Sequence, residues 1–147
     1  VSGMNIRTKE LQTIGNSGYT TMPYELRLEA ATGIQSERPW SQLDPKEIVE
    51  QFYAMTVNGC LDVYVRDKTT GELMGWAQIG CTWDIHVGEM LIVMAQYVRP
   101  AYRDAGVSRE IIRVLKQATR DAGLRWCCFT HWSRAKRLVW NYIDLGE

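Results

Sequence analysis

The chain lacks what would place it in a membrane, on nucleic acid or around a metal. No apolar run approaches membrane-spanning length, and the amino terminus has no charged-then-apolar leader, so a soluble, cytoplasmic protein is expected. There is no excess charge: 17 Lys and Arg balance 17 Asp and Glu across 147 residues. Such a molecule has no overall field to recruit nucleic acid or an anionic membrane, so neither is an expected partner. Cysteine is scarce and lacks zinc spacing. Cys60, Cys81, Cys127 and Cys128 are read as buried free thiols in a reducing compartment, the adjacent pair pointing to opposite faces of a strand. Asp84, His86 and Glu89 read as a polar loop, and no metal is expected. Nothing repeats, no segment is low in complexity, and 46% hydrophobic content over this length suits one domain, residues 1–147.

What is present is an ordered set of α and β signals. Asn5-Ile6-Arg7 suggests a short strand, residues 15–18 are turn-rich, and residues 24–31 have a helical pattern. Asp44-Pro45-Lys46-Glu47 supplies an N-cap, a proline at the first helical position and an early glutamate. Ile48, Phe52 and Met55 follow on one face, and Gly59 closes the helix. Leu61, Val63 and Val65 alternate with polar or mixed neighbours, residues 67–72 turn around Gly71, and residues 73–83 return as the second strand of a hairpin. A turn at residues 84–88 leads to Met90-Leu91-Ile92-Val93-Met94-Ala95, short enough to be a buried strand. Ile111, Leu115, Ala118 and Ala122 then make the apolar stripe of a helix, with Arg109, Arg113, Lys116 and Arg120 elsewhere on it. Residues 125–131 read as a strand and residues 135–145 as a final helix. Trp40, Trp76, Trp83, Trp126, Trp132 and Trp140 are expected mostly in the core, with Trp83 and Trp132 candidates for an acceptor pocket.

The chemistry concentrates between the fourth strand and its helix. Gly106 has no side chain to hold a ligand off the backbone, and the first amides of the following helix have no partner inside it. Such a terminus attracts anions. His131 and His86 have intrinsic pKa values near neutrality and are candidates for proton transfer.

The order Val98, Pro100, Tyr102, Arg103, Gly106, with Ser108 two residues on, resembles the coenzyme-binding motif of the GNAT acetyltransferases. Ser108 stands where that family prefers Gly or Ala. The Thr70-Gly71-Glu72-Leu73-Met74-Gly75-Trp76 stretch also resembles the family's second-to-third strand hairpin, and the resemblance spans roughly residues 45–146. It implies an α/β (α+β) fold with a mixed, mostly antiparallel sheet flanked by helices. The usual last two strands are expected to be missing.

The resemblance also implies N-acetyltransferase activity, with acetyl-coenzyme A as co-substrate and a small-molecule or peptide amine as acceptor. The coenzyme's pyrophosphate would lie on the backbone of Arg103, Asp104, Ala105, Gly106, Val107 and Ser108, and its pantetheine arm would pair with Gln96, Tyr97 and Val98. Tyr142, four residues before Gly146, would protonate the leaving sulfur from the last helix, although the asparagine and alanine that usually precede it fall on Ala135 and Leu138. For the base, the family's glutamate position in the fourth strand falls on Ile92 or Met94, which leaves Glu89 or His131. Arg134, Lys136 and Arg137 would meet the coenzyme's 3′-phosphate or form a solvated face. An alternative is a catalytically weakened GNAT-like binding protein, since short GNAT-like chains occur in tailed bacteriophages, where virion or host-interaction roles arise. With the last strands missing, the fifth would be an open edge. Either a homodimer or a returning segment at residues 4–14 would then cover it.

Overall fold

The computed structural model describes residues 8–13, 24–57, 60–67 and 69–146. Six strands form one sheet in chain order: β1 (Thr8–Thr13), β2 (Leu61–Arg66), β3 (Leu73–Asp84), β4 (Gly88–Val98), β5 (Trp126–Arg134) and β6 (Arg137–Asp144). Neighbours are antiparallel except β4 and β5, whose parallel pairing needs a crossover. That crossover is α3 (Val107–Asp121), which follows a short 3-10 turn, Pro100–Tyr102.

The two faces carry separate cores. On one, α3 buries Val107, Ile111, Val114 and Leu115 against Val63, Met74, Ile79, Val93 and Cys127, each large aliphatic contributing roughly 1.5–3 kcal/mol. On the other, α1 (Tyr24–Glu37) and α2 (Pro45–Val57) pack Ala30, Ala31, Val49 and Phe52 over Tyr64, Leu73, Trp76 and Tyr97. α2 starts where the sequence indicates: Asp44 Oδ1 accepts the Lys46 N–H at 2.9 Å ahead of Pro45.

Several expectations are corrected. The segment at 135–145 is not a helix but β6, which pairs with β5 from Trp126↔Asp144 to Arg134↔Arg137. Leu138, Trp140 and Tyr142 alternate with Val139, Asn141 and Ile143, and Val, Ile and aromatic side chains favour an extended strand. The edge of β5 is therefore covered by its own hairpin, so neither a homodimer nor the amino-terminal segment is needed there. β1 instead lies against β2 at the other side of the sheet. The suggested strand at residues 5–7, the turn at 15–18 and the closing Gly59 fall outside the described residues. Cys81 is exposed, whereas Cys60, Cys127 and Cys128 are buried. Among the tryptophans only Trp76 is buried, and Trp83 is 71% exposed.

The feature that positions a site is a fork. β4 and β5 pair only at Met90↔Trp126, Leu91↔Cys127 and Ile92↔Cys128. Beyond that point β4 continues to Val98 with β3, and β5 continues to Arg134 with β6. Met94 is an extra residue in β4, because Gln78 and Ile79 of β3 face Ala95 and Val93. A bulge of this kind bends the strand that carries it, here just past the crotch.

Candidate functional site

The β4 arm of the fork ends in the turn that the sequence marked out. Gly106 caps α3 with φ 82° and ψ 18°, a left-handed conformation that glycine adopts without steric cost. Glu110 makes the first helical bond, its N–H donating to Gly106 O at 3.1 Å. The amides of Val107, Ser108 and Arg109 precede that bond and present the positive end of the helix. Gln96 Nε2 donates to Ser108 Oγ at 2.8 Å, fastening the end of β4 to the start of α3. Beyond Ile92 the β5 side of β4 has no strand partner among the described residues. The backbone of Gln96, Tyr97 and Val98 therefore borders the fork.

The side chain of Arg103 turns back beneath the turn. Its Nε donates to Val98 O at 3.1 Å, its guanidinium pairs with Glu37, and it lies 6.0 Å from the Tyr97 ring centre. What residues 103–108 offer an anion is thus backbone amides rather than a free guanidinium. Asp104 is exposed, while Ala105 and Val107 pack into the α3 core.

The expected catalytic residues are dispersed. His131 lies on the β5 arm, three residues past the crotch and on the α3 face. The Asn141 amide donates to Phe129 O at 3.3 Å and meets His131 Nδ1 at 2.9 Å. Turned the other way, that amide would set its oxygen against the Phe129 carbonyl. The Asn141 nitrogen is therefore the donor to Nδ1, and the neutral imidazole carries its proton on Nε2.

Tyr142 lies on the opposite face, on a strand, where its hydroxyl donates to Asp84 Oδ2 at 2.7 Å. That bond holds the phenol up at about 12 and keeps Asp84 below the ordinary aspartate value. His86 Nδ1 stands 3.3 Å from the other Asp84 oxygen. Glu89 begins β4, below the crotch, and accepts the Cys81 thiol at 3.6 Å. Burial and that carboxylate push the Cys81 thiol up. The fork thus gathers residues 96–98, residues 103–108 and His131, and leaves Tyr142 and Glu89 elsewhere. Sequence reasoning missed Asn141 and the Met94 bulge; the alternation in β6 was the signal for the first, and no local signal marks the second.

No family model matches the chain, and no curated protein matches it by sequence. Solved structures match by shape. A protein from Desulfovibrio desulfuricans placed in the GNAT family superposes with a TM-score of 0.60 at 11% identity, covering 95% of this chain and 100% of its own. A predicted acetyltransferase of Clostridium acetobutylicum, solved with acetyl-coenzyme A, gives 0.58 at 11% identity over 88% and 82%. An aminoglycoside N-acetyltransferase in complex with coenzyme A gives 0.56 at 12% identity over 90% and 82%. With its parallel β4–β5 fork and its helix starting at the end of β4, the chain has the fold of the GNAT acetyltransferases.

Proposed function

We propose that this protein is an acetyl-coenzyme A dependent N-acetyltransferase acting by direct attack of an amine. The observation that carries the reading is the fork whose β4 arm ends at the Gly106 turn. It offers an extended stretch of β4 backbone without a strand neighbour on its β5 side, leading to a cluster of helix-terminal amides. Residues 103–108 hold the diphosphate through those amides. The pantetheine arm runs along Gln96, Tyr97 and Val98, adding hydrogen bonds in the manner of a strand, and its thioester comes to rest near the bulge at Met94.

In the reaction the amine nitrogen bonds to the thioester carbon, the carbon–sulfur bond breaks, and the thiolate leaves. The proton lost by the amine reaches the sulfur through solvent. His131 is the one expected catalytic group on an arm of the fork, and its Nε2–H is a donor for developing charge on oxygen or sulfur. Tyr142 could act as the acid only by surrendering its bond to Asp84, and Glu89 lies below the crotch. No cysteine nucleophile is required.

Calorimetric titration with acetyl-coenzyme A tests the reading, followed by a thiol-release assay across primary amines. Micromolar binding with release of coenzyme A on adding an amine is expected. Binding with no transfer to any amine would leave the catalytically weakened binding protein, and absence of binding would reject both.

A further inference from the structure

Pairing with β6 covers β5, and it moves the open edge of the sheet outward by one strand. β6 ends the strand order and has no neighbour on its outer side among the described residues. The backbone N–H and C=O groups on that side are a template for another strand, which proteins usually blunt with proline, a bulge or a charge in mid-strand. β6 has none of these. Arg137-Leu138-Val139-Trp140-Asn141-Tyr142-Ile143-Asp144 holds its charges at its two ends, and the extra residue of the hairpin, Ser133, lies in β5.

One face of the same strand is also bare. The cluster beneath α1 and α2 gathers side chains from β2, β3 and β4 and none from β6. Farther across that face, Trp40 and Arg38 lie against the Trp132 ring of β5, at 5.2 and 5.0 Å. Leu138, Trp140 and Tyr142 come next and are 39%, 47% and 38% exposed, the Trp140 and Tyr142 rings stacked with centres 6.4 Å apart. An unpaired edge and an exposed apolar row thus sit on one strand, the mark of an interaction surface.

We propose that β6 pairs with β6 of a second copy of this chain, antiparallel about a twofold axis at Trp140, joining the two sheets into one. An axis normal to the sheet keeps each face continuous, so residues that meet across it must point to the same side. With Trp140 facing Trp140 of the second copy, Leu138 faces Tyr142, and the apolar row is answered along its whole length. The same register brings Lys136 and Arg137, at the positive end of the strand, beside Asp144 at the negative end of the other. Asp144 binds Arg125, and a carboxylate has lone pairs for a second cation. A slip of two residues sets Leu138 opposite Asp144 in one direction and Tyr142 opposite Lys136 in the other, which breaks the apolar match. Parallel pairing sets Arg137 beside Arg137. The strand is its own complement in both row and charge, which favours a second copy over a foreign strand.

Light scattering and sedimentation over a dilution series should give the mass of two chains at high concentration and of one at low. Trp140→Lys sets two ammonium groups across the axis and removes the central ring, so it should weaken association at least about thirtyfold, the scale for a tryptophan at the centre of an interface. Leu138→Lys should weaken it as well, whereas Trp83→Lys, at the exposed end of β3, should not. In the wild-type protein, amide exchange across residues 137–144 should slow as concentration rises, and exchange across β1 at the opposite edge should stay constant. A wild-type chain that is monomeric at every concentration overturns the proposal. So does association that survives folded Trp140→Lys and Leu138→Lys, that grows past two chains, or that leaves exchange in β6 unchanged. If neither β6 variant folds, the exchange measurement on the wild-type protein decides.

Discussion

Two substitutions at Gly106 separate backbone strain from occlusion of the proposed anion site. The residue sits at φ 82°, where any L-residue pays roughly 1–2 kcal/mol. Gly106→Ala carries that cost with or without ligand, so it should lower Tm by about 2–8 °C for a chain of this size while weakening coenzyme affinity less than about tenfold. Gly106→Trp carries the same strain and also sets an indole over the amides of Val107 and Ser108. Losing two charge-assisted hydrogen bonds, each worth about 1.5–3 kcal/mol, should weaken acetyl-coenzyme A by at least about a hundredfold. Calorimetry gives the affinities, and thermal melts give the strain common to both variants. A Gly106→Trp protein that melts beside Gly106→Ala and binds acetyl-coenzyme A like the wild type would refute the placement of the diphosphate.

Ellman's reagent should modify one of the four cysteines in the native protein, Cys81 being exposed and the others buried. Glu89→Gln should speed that reaction by removing an acceptor and a negative charge that hold the thiol protonated. Arg125 holds Asp144 at about 2, below the ordinary 3.8. The depressed value means that this pair adds stability above about pH 4 and loses it as pH falls toward 2; Arg125→Gln should flatten the Tm profile in that window, and an unchanged profile would dismiss the pair. Absorbance near 295 nm should show a tyrosine ionising at about 12 that disappears in Tyr142→Phe and moves down in Asp84→Asn.

What could be read from the chain divides by the range of the interactions. α2 was legible because Asp44 and Pro45 write its start locally, and α3 because Ile111 and Leu115 repeat on one face. The late hairpin was misread although Leu138, Trp140 and Tyr142 alternate, because the residues between them include Val139 and Ile143, so the polar half of the pattern is faint. In the structure Ile143 packs against the α3 core while Trp140 is half exposed on the other face, a division that only the pairing with β5 reveals. The turn at Gly106 that starts α3 was legible for the same local reason as the helices. The fork was not, since it depends on β5 leaving β4 after Ile92↔Cys128, and no residue near Ile92 announces that separation. Tyr142 was given its role from the wrong element; its partner Asp84 is 58 positions away in sequence.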